Sequence, residues 1–188
     1  MAGGYATRLL PLTRNVAKPL LHIRGRPIID YIFDKLDGLT GIDKVVISTN
    51  KKFKRHFEDW LARKQRGNVS IWAEGSHREG AKLGAIRALG ELVEEVDSED
   101  YMVIAGDNLF TSDLGALVAY YRERDSTVIA TYDVKDSDIV KSCSMARVGP
   151  DGNLVCFVEK PKDPESTLIG TCIYLFPRKS IRRIHEYL

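Results

Sequence analysis

Gly3 and Gly4 stand side by side, Thr7 and Arg8 follow within five residues, and Lys18 lies ten residues beyond Arg8. Glycines let the backbone approach an anion closely, and successive main-chain N–H groups there can cradle phosphate oxygens. Arg8 and Lys18 add two fixed cations, so the segment suits a polyphosphate. A carboxylate counterpart is Asp107, in Gly106-Asp107-Asn108 directly after the apolar run of residues 101–105. Open α/β sheets bind ligands at such strand ends. A carboxylate there can hold Mg²⁺, a hard cation that prefers oxygen ligands and bridges to substrate phosphates; taken alone, Asp107 is equally a turn former. Two further groups are Val158-Glu159-Lys160-Pro161 and Ile169-Gly170-Thr171. By residue type alone, the first is a strand end with an exposed charge pair and the second holds a strand glycine.

The elements that must position these groups alternate. Residues 27–36 set Ile28, Ile29, Ile32, Phe33 and Leu36 at helical spacing, with Pro27 suited to a first turn. Residues 44–49 are a short β-branched run and predict a buried strand. Residues 52–64 predict a helix with Phe53, Phe57, Trp60 and Leu61 on one face. Strands are expected at 69–73, 101–105 and 127–132, and helices at 79–92 and 114–123. This rhythm predicts an α/β fold, a Rossmann-like three-layer sandwich whose mixed, mostly parallel sheet is covered on both faces. After residue 140 a hairpin is expected from 144–148 and 154–158 around Pro150-Asp151-Gly152-Asn153. A strand at 169–176 and a helix from 178 complete a β-rich region beside the parallel sheet.

A length of 188 residues, 44% of them hydrophobic, predicts one domain over 1–188 with a real core. The net charge of +2 gives no strong field. Arg63-Lys64-Gln65-Arg66 and Arg182-Arg183 read as solvated helix ends, so no nucleic-acid partner is expected. Cys143, Cys156 and Cys172 match neither a zinc pattern nor a secreted disulfide framework. Cys156 and Cys172, in strand-like runs, are expected to be buried thiols, and a cytoplasmic, reducing location follows. No apolar stretch approaches a membrane span, so no membrane partner is expected. His22, His56, His77 and His185 are scattered and receive no catalytic role. A homo-oligomer is left open.

The string Gly-Gly-x-Ala-Thr-Arg-Leu-x-Pro-Leu-Thr, followed by Lys18-Pro19-Leu20-Leu21, resembles the signature of the sugar-1-phosphate nucleotidylyltransferases. Within them it is most similar to the glucose-1-phosphate thymidylyltransferases. The resemblance implies a reaction of an NTP with a sugar 1-phosphate, giving an NDP-sugar and pyrophosphate. It implies that Gly3, Gly4 and Thr7 wrap the nucleotide phosphates and that Arg8 holds the β- and γ-phosphates. Lys18 would lie between the α-phosphate and the attacking sugar phosphate, Gly106 would border the nucleotide, and Asp107 would be a Mg²⁺ ligand. Glu159 would contact sugar hydroxyls, Lys160 the sugar phosphate, and Gly170 with Thr171 the substrate beside them. Gly80 matches a glycine packed against the base. Glu74 stands where the pyrimidine-reading branch commonly has Gln nearby. A carboxylate there could instead accept from an amino group, as on cytosine or guanine, or be a solvated loop acid.

The same resemblance sets two expectations about the ends. The family begins with an apolar strand before its Gly-Gly loop, whereas Met1 and Ala2 alone precede Gly3. A slot in the sheet is therefore expected, with Met1 internal to a longer natural chain or the strand supplied otherwise. Family members usually carry a second magnesium aspartate in a Trp-x-Asp-x-Gly segment after the last helix. The sequence stops at Leu188, inside or just after that helix, and Asp151 and Asp163 lie in turn-like contexts that do not replace it, so a fragment or a natural short form is expected. Best guesses for the substrates are dTTP or UTP with glucose 1-phosphate. Alternatives are a CTP-dependent enzyme for a polyol or sugar phosphate, and a subunit that senses a nucleotide-sugar without turnover.

Overall fold

The computed structural model describes residues 1–4, 6–74, 84–124 and 126–187. A small hairpin, β1 (His22–Ile23) and β2 (Arg26–Pro27), leads into α1 (Ile28–Leu36). There follow β3 (Val45–Asn50), α2 (Lys54–Lys64), β4 (Val69–Glu74), α3 (Ala85–Glu95) and β5 (Asp100–Ile104). Next come α4 (Leu114–Arg122), β6 (Val128–Asp133), the short α5 (Ser137–Val140), β7 (Ser144–Val148), β8 (Leu154–Glu159) and β9 (Leu168–Pro177). The described chain ends in two single turns, α6 (Arg178–Ile181) and α7 (Ile184–Tyr187), rather than the one helix expected from residue 178. Residues 79–83, the start of another expected helix, lie outside the described residues.

β3 and β4 pair in parallel, from Val45 opposite Val69 to Asn50 opposite Glu74. β9 is antiparallel to β5 on one edge and to β6 on the other, so β5 and β6 run the same way. The sheet is therefore mixed, as expected, with β3 and β4 parallel and β9 antiparallel to both β5 and β6. The β7–β8 hairpin joins the edge of β9 that β5 also uses, with Met145 opposite Ile169. Where β5 ends, β9 bulges: Ile129 faces Tyr174 and Thr131 faces Gly170, leaving extra β9 residues between them. Cys172 sits in that bulge at φ 56°.

Residues 1–3 join the two halves of the sheet. The Met1 amino group donates to Ile104 O (2.8 Å), and Gly106 N donates to Met1 O (2.7 Å). That is the hydrogen-bond pattern of a parallel pair. On the other side Ala2 N donates to Ser48 O (2.6 Å) and Asn50 Nδ2 to Gly3 O (2.9 Å). Three residues thus act as the end of a strand between β3 and β5, and they reach only the C-terminal ends of both.

The main core lies under this junction. Ala2, Ala17, Ile29, Phe33, Ile47, Phe53, Phe57, Trp60 and Val69 form one buried cluster from α1, α2, β3 and β4. The apolar positions of α1 recur at helical spacing and place Ile28, Ile29, Ile32 and Phe33 inward. Asp30 is buried in the same helix with two donors, Trp60 Nε1 (2.8 Å) and Lys64 Nζ (2.7 Å). A buried carboxylate is tolerated when its oxygens are met in this way. Across the sheet, Tyr121 on α4 packs with Val128 and Leu175.

Candidate active site

The phosphate-loop residues lie at the C-terminal end of the sheet. Ala6 is left-handed (φ 47°, ψ 46°) and is followed by a 3₁₀ turn over Thr7–Leu9. A left-handed residue followed by right-handed ones turns successive N–H groups toward one concave point, a nest suited to an anion. Gly4, Thr7 and Arg8 are exposed. A Cβ built on Gly4 would meet no described atom within 4 Å, so the space beside this loop is open. The 3₁₀ turn Lys18–Leu20 follows buried Ala17, and buried Pro19 anchors it.

From that turn, Lys18 Nζ reaches Asp107 Oδ2 at 2.7 Å. Asp107 follows β5 by way of Gly106, whose position admits no side chain. A Cβ there would lie 3.0 Å from Met1 O, 3.1 Å from Ala2 Cβ and 3.3 Å from Pro19 Cγ. Gly106 is buried and its N–H is taken by Met1 O, so it serves the junction and presents no amide to a ligand. The Met1 α-amine is buried there too, which pulls it down from 8.0 to about 6 against the opposing attraction of Asp107.

A cleft of about 1410 Å³ opens from this point, lined by Asp107 and Asn108 and, from β9, by Gly170, Thr171 and Cys172. Asn108 Nδ2 donates to Thr171 O (2.6 Å), and Ala105 N donates to Cys172 O (3.0 Å). Thr171 Oγ1 is taken by Ala130 O (2.8 Å). Gly170 is required by packing: a Cβ there would stand 2.8 Å from the Phe157 ring. Cys172, expected to be buried, is exposed, because its positive φ within the bulge turns the side chain out of the sheet.

Glu159 ends β8 and Lys160 follows it, both exposed and paired to each other at 3.2 Å. Ser144, opposite Glu159 in the hairpin, donates to its carboxylate. That hydrogen bond, and then the one from Lys160, hold the Glu159 carboxyl below its usual range. Among the described residues, no hydrogen bond or ion pair links Glu159 or Lys160 to Lys18 or Asp107. Tyr174 on β9 is pushed up to about 12, by burial first and then by Cys172 beside it. Lys160 has φ 47°, and its N–H donates to Cys143 O (2.8 Å), which turns the chain away from the hairpin.

Glu74, the last residue of β4, is buried (3% exposed), and its Oε1 lies 3.6 Å from where a Cβ on Gly3 would stand. It is therefore no solvated loop acid; it borders the phosphate loop from the β4 side. Gly80 lies outside the described residues. Two buried residues that residue types alone did not single out hold the loop from beneath, Asn50 on Gly3 O and Thr13 Oγ1 on Ala6 O (2.7 Å).

Among the described residues no group of three or more His, Cys, Asp or Glu could enclose a metal ion. Asp107, with one oxygen held by Lys18 and 38% of its side chain exposed, fits a divalent cation of the kind bound by one or two carboxylates plus substrate phosphates. Among the described residues no helix is long and apolar enough to cross a membrane.

The model of the nucleotidyl transferase family matches residues 1–188. A UTP–glucose-1-phosphate uridylyltransferase, AglF, of Haloferax volcanii is 31% identical over 179 residues, covering 94% of this chain and 70% of that protein. A glucose-1-phosphate adenylyltransferase of Bacillus subtilis is 28% identical over 188 residues, with 94% of this chain and 49% of that protein covered. The chain thus spans about half the length of that second relative. A Bacillus anthracis crystal structure, described as a glucose-1-phosphate thymidylyltransferase in complex with a sucrose, superposes with a TM-score of 0.85. It shares 27% identity and covers 100% of this chain and 73% of its own.

Proposed function

The chain belongs to the nucleotidyl transferase family, and from that premise we propose that it joins an NTP to a sugar 1-phosphate, forming an NDP-sugar and pyrophosphate. The observation that carries this reading is Lys18 Nζ at 2.7 Å from Asp107 Oδ2, beside the open Gly3–Arg8 loop. One cation, one carboxylate and a concave row of amides suit a reaction between two phosphates. A sugar-phosphate oxygen attacks the α-phosphorus as the bond to the β-phosphate oxygen breaks. The nucleophile is already an anion at neutral pH, so no general base is required. The obstacles are like-charge repulsion and alignment, and fixed charges and dipoles answer both.

In this reading the Gly3–Thr7 amides hold the phosphate chain, and Arg8 neutralises the departing pyrophosphate. Lys18 leaves Asp107 to bridge the two reacting phosphates. A divalent cation bound through Asp107, Mg²⁺ in our assignment, would supply charge neutralisation at the α-phosphate. Gly170, Thr171, Glu159 and Lys160 border the sugar phosphate, and Glu74 and Gly80 the base.

We take UTP or dTTP with glucose 1-phosphate as the substrates, supported by the uridylyltransferase similarity at 31% identity. A second reading has a specific observation in its favour. The buried Glu74 carboxylate can only accept hydrogen bonds, and cytosine and guanine present amino donors where uracil and thymine present carbonyls.

Pyrophosphate release with Mg²⁺, over dTTP, UTP, CTP, GTP and ATP against several sugar 1-phosphates, tests all of this. Release with UTP or dTTP and glucose 1-phosphate supports the first pair, and release with CTP or GTP alone replaces it with the second reading. Tight binding of a nucleotide-sugar with no release under any pairing would replace the catalytic reading with a sensing one.

A further inference from the structure

The phosphate loop is held by two side chains that no ligand needs to touch. We propose that Asn50 and Thr13 are positioning residues that aim the Gly4 and Thr7 amides at the nucleotide phosphates. The inference rests on the proposed role of the loop as the site for those phosphates.

The argument is geometric. A trans peptide sets the C=O of one residue opposite the N–H of the next. Whatever holds the Gly3 carbonyl inward therefore turns the Gly4 N–H outward, and the same holds for Ala6 and Thr7. Asn50 Nδ2 donates to Gly3 O at 2.9 Å. Its own orientation is fixed, because Phe53 N donates to Asn50 Oδ1 at 3.1 Å. Thr13 Oγ1 donates to Ala6 O at 2.7 Å, and Leu9 N reaches the same oxygen at 2.9 Å. Among the described residues, no acceptor takes the N–H of Gly4 or of Thr7.

Burial shows that these bonds are not incidental surface contacts. Asn50 is 0% exposed and Thr13 is 1% exposed. A buried amide and a buried hydroxyl carry a desolvation cost unless bonded, so each has its loop carbonyl as a required partner. Ala6 adds a second sign of constraint. A non-glycine residue at φ 47° is uncommon and persists where its surroundings over-determine it. Thr13 is the side chain that does so here. The nest is thus built before the ligand arrives, from the end of β3 on one side and the Pro11–Thr13 segment on the other.

The experiment measures calorimetric binding of inorganic pyrophosphate, and steady-state KM for both substrates, on folded variants checked by thermal melting. Thr13→Val keeps the volume and removes the donor; Thr13→Ser restores it. Asn50→Asp keeps an acceptor for Phe53 N and sets an oxygen against Gly3 O. Thr13→Val and Asn50→Asp should each weaken pyrophosphate binding and raise KM for the NTP by about tenfold or more. KM for the sugar 1-phosphate should stay within about twofold and Thr13→Ser within about threefold of the parent, each far below the tenfold that one lost bond costs. A purely structural role would instead lower the melting temperature and move both substrates together.

Ala6 gives a second test that leaves the core untouched. Ala6→Val, which resists the left-handed conformation, should bind pyrophosphate more weakly than the parent and than Ala6→Gly, which accepts it. Unchanged pyrophosphate affinity in Ala6→Val, or in folded Thr13→Val and Asn50→Asp, overturns the proposal. A parent protein that binds neither pyrophosphate nor any NTP overturns the phosphate-loop reading itself.

Discussion

Replacing Lys18 or Asp107 should separate turnover from stability by a margin wide enough to measure. The two side chains meet at 2.7 Å, yet they remain 37% and 38% exposed. Ion pairs so open to water contribute only about 0.2–1 kcal/mol to stability. At about 2–4 °C per kcal/mol for a domain of this size, losing the pair should lower the melting temperature by no more than about 4 °C. The cost to the reaction should be far larger. Removing one fixed group that stabilises developing charge typically costs on the order of 10²–10³ in rate, or about 2.7–4 kcal/mol. Lys18→Met and Asp107→Asn should therefore each melt almost as the parent does while losing at least a hundredfold in kcat. The double variant Lys18→Asp with Asp107→Lys restores an ion pair and should restore no activity, because the lysine then stands where the carboxylate is needed. The assay is pyrophosphate release beside a thermal melt on the same preparations. Turnover within tenfold of the parent in either single variant would refute the reasoning. Recovery in the swapped pair, or a melting loss above about 10 °C, would show that the contact acts through the fold.

Three further expectations concern the frame. Asp30→Ala leaves Trp60 Nε1–H, on a side chain 1% exposed, without its acceptor. Chemical denaturation should show a loss of about 2–4 kcal/mol with KM for both substrates unchanged, and Asp30→Asn, which keeps the acceptor, should lose less. Gly106→Ala would drive a Cβ to within 3.0 Å of Met1 O, so melting temperature and kcat should fall together. A variant that melted normally would show that the Met1–Gly106 junction can yield. The Asp37 carboxyl is held below 3.8 by its hydrogen bonds from Arg66, so the pair adds stability above that value and loses it as pH falls through the lower folded one. Asp37 is exposed and Arg66 only half-buried, so the effect is small. Arg66→Met should lower the melting temperature slightly at neutral pH, and its difference from the parent should shrink as pH falls below about 4, which a pH series of melts checks.

Much of the frame was legible because its signals are periodic. The apolar spacing of α1, the β-branched run of β3 and the turn between β7 and β8 each determine one local structure. The direction of the long β9 was not legible, since an apolar strand reads the same whichever way it is paired. Cys172 shows the same limit at one residue. Its neighbours form a strand pattern that predicts alternate burial, but β5 ends opposite Ile173 and the bulge turns Cys172 outward. At the site, the spacing of Lys18 from the glycine loop and the place of Asp107 after an apolar run marked the two residues, and the structure brings them into contact. The resemblance set Gly106 and Gly170 beside the substrates; what a Cβ would meet at each is protein, Met1 and Ala2 at Gly106 and the Phe157 ring at Gly170. Asn50 and Thr13 left a weaker trace. A polar residue closing an apolar strand is a signal that a buried acceptor awaits it, but only the fold names Gly3 O.

The arrangement also explains why charges can be gathered here without a deep core of their own. Lys18, Asp107 and the loop amides are each fixed one step away from the site: by buried Pro19 next to Lys18, by the Met1 carbonyl on Gly106, and by Asn50 and Thr13 on the Gly3 and Ala6 carbonyls. The side chains that would meet phosphate therefore stay partly hydrated, at little cost to stability, while their attachment points do not move. Lys18 can exchange Asp107 for a phosphate because the bond it gives up is a weak surface pair. A buried pair in the same place would hold its partners better and release them worse. In this reading, electrostatic preorganisation resides in the junction between β3 and β5, and substitutions under the junction should perturb catalysis although they touch none of the charges.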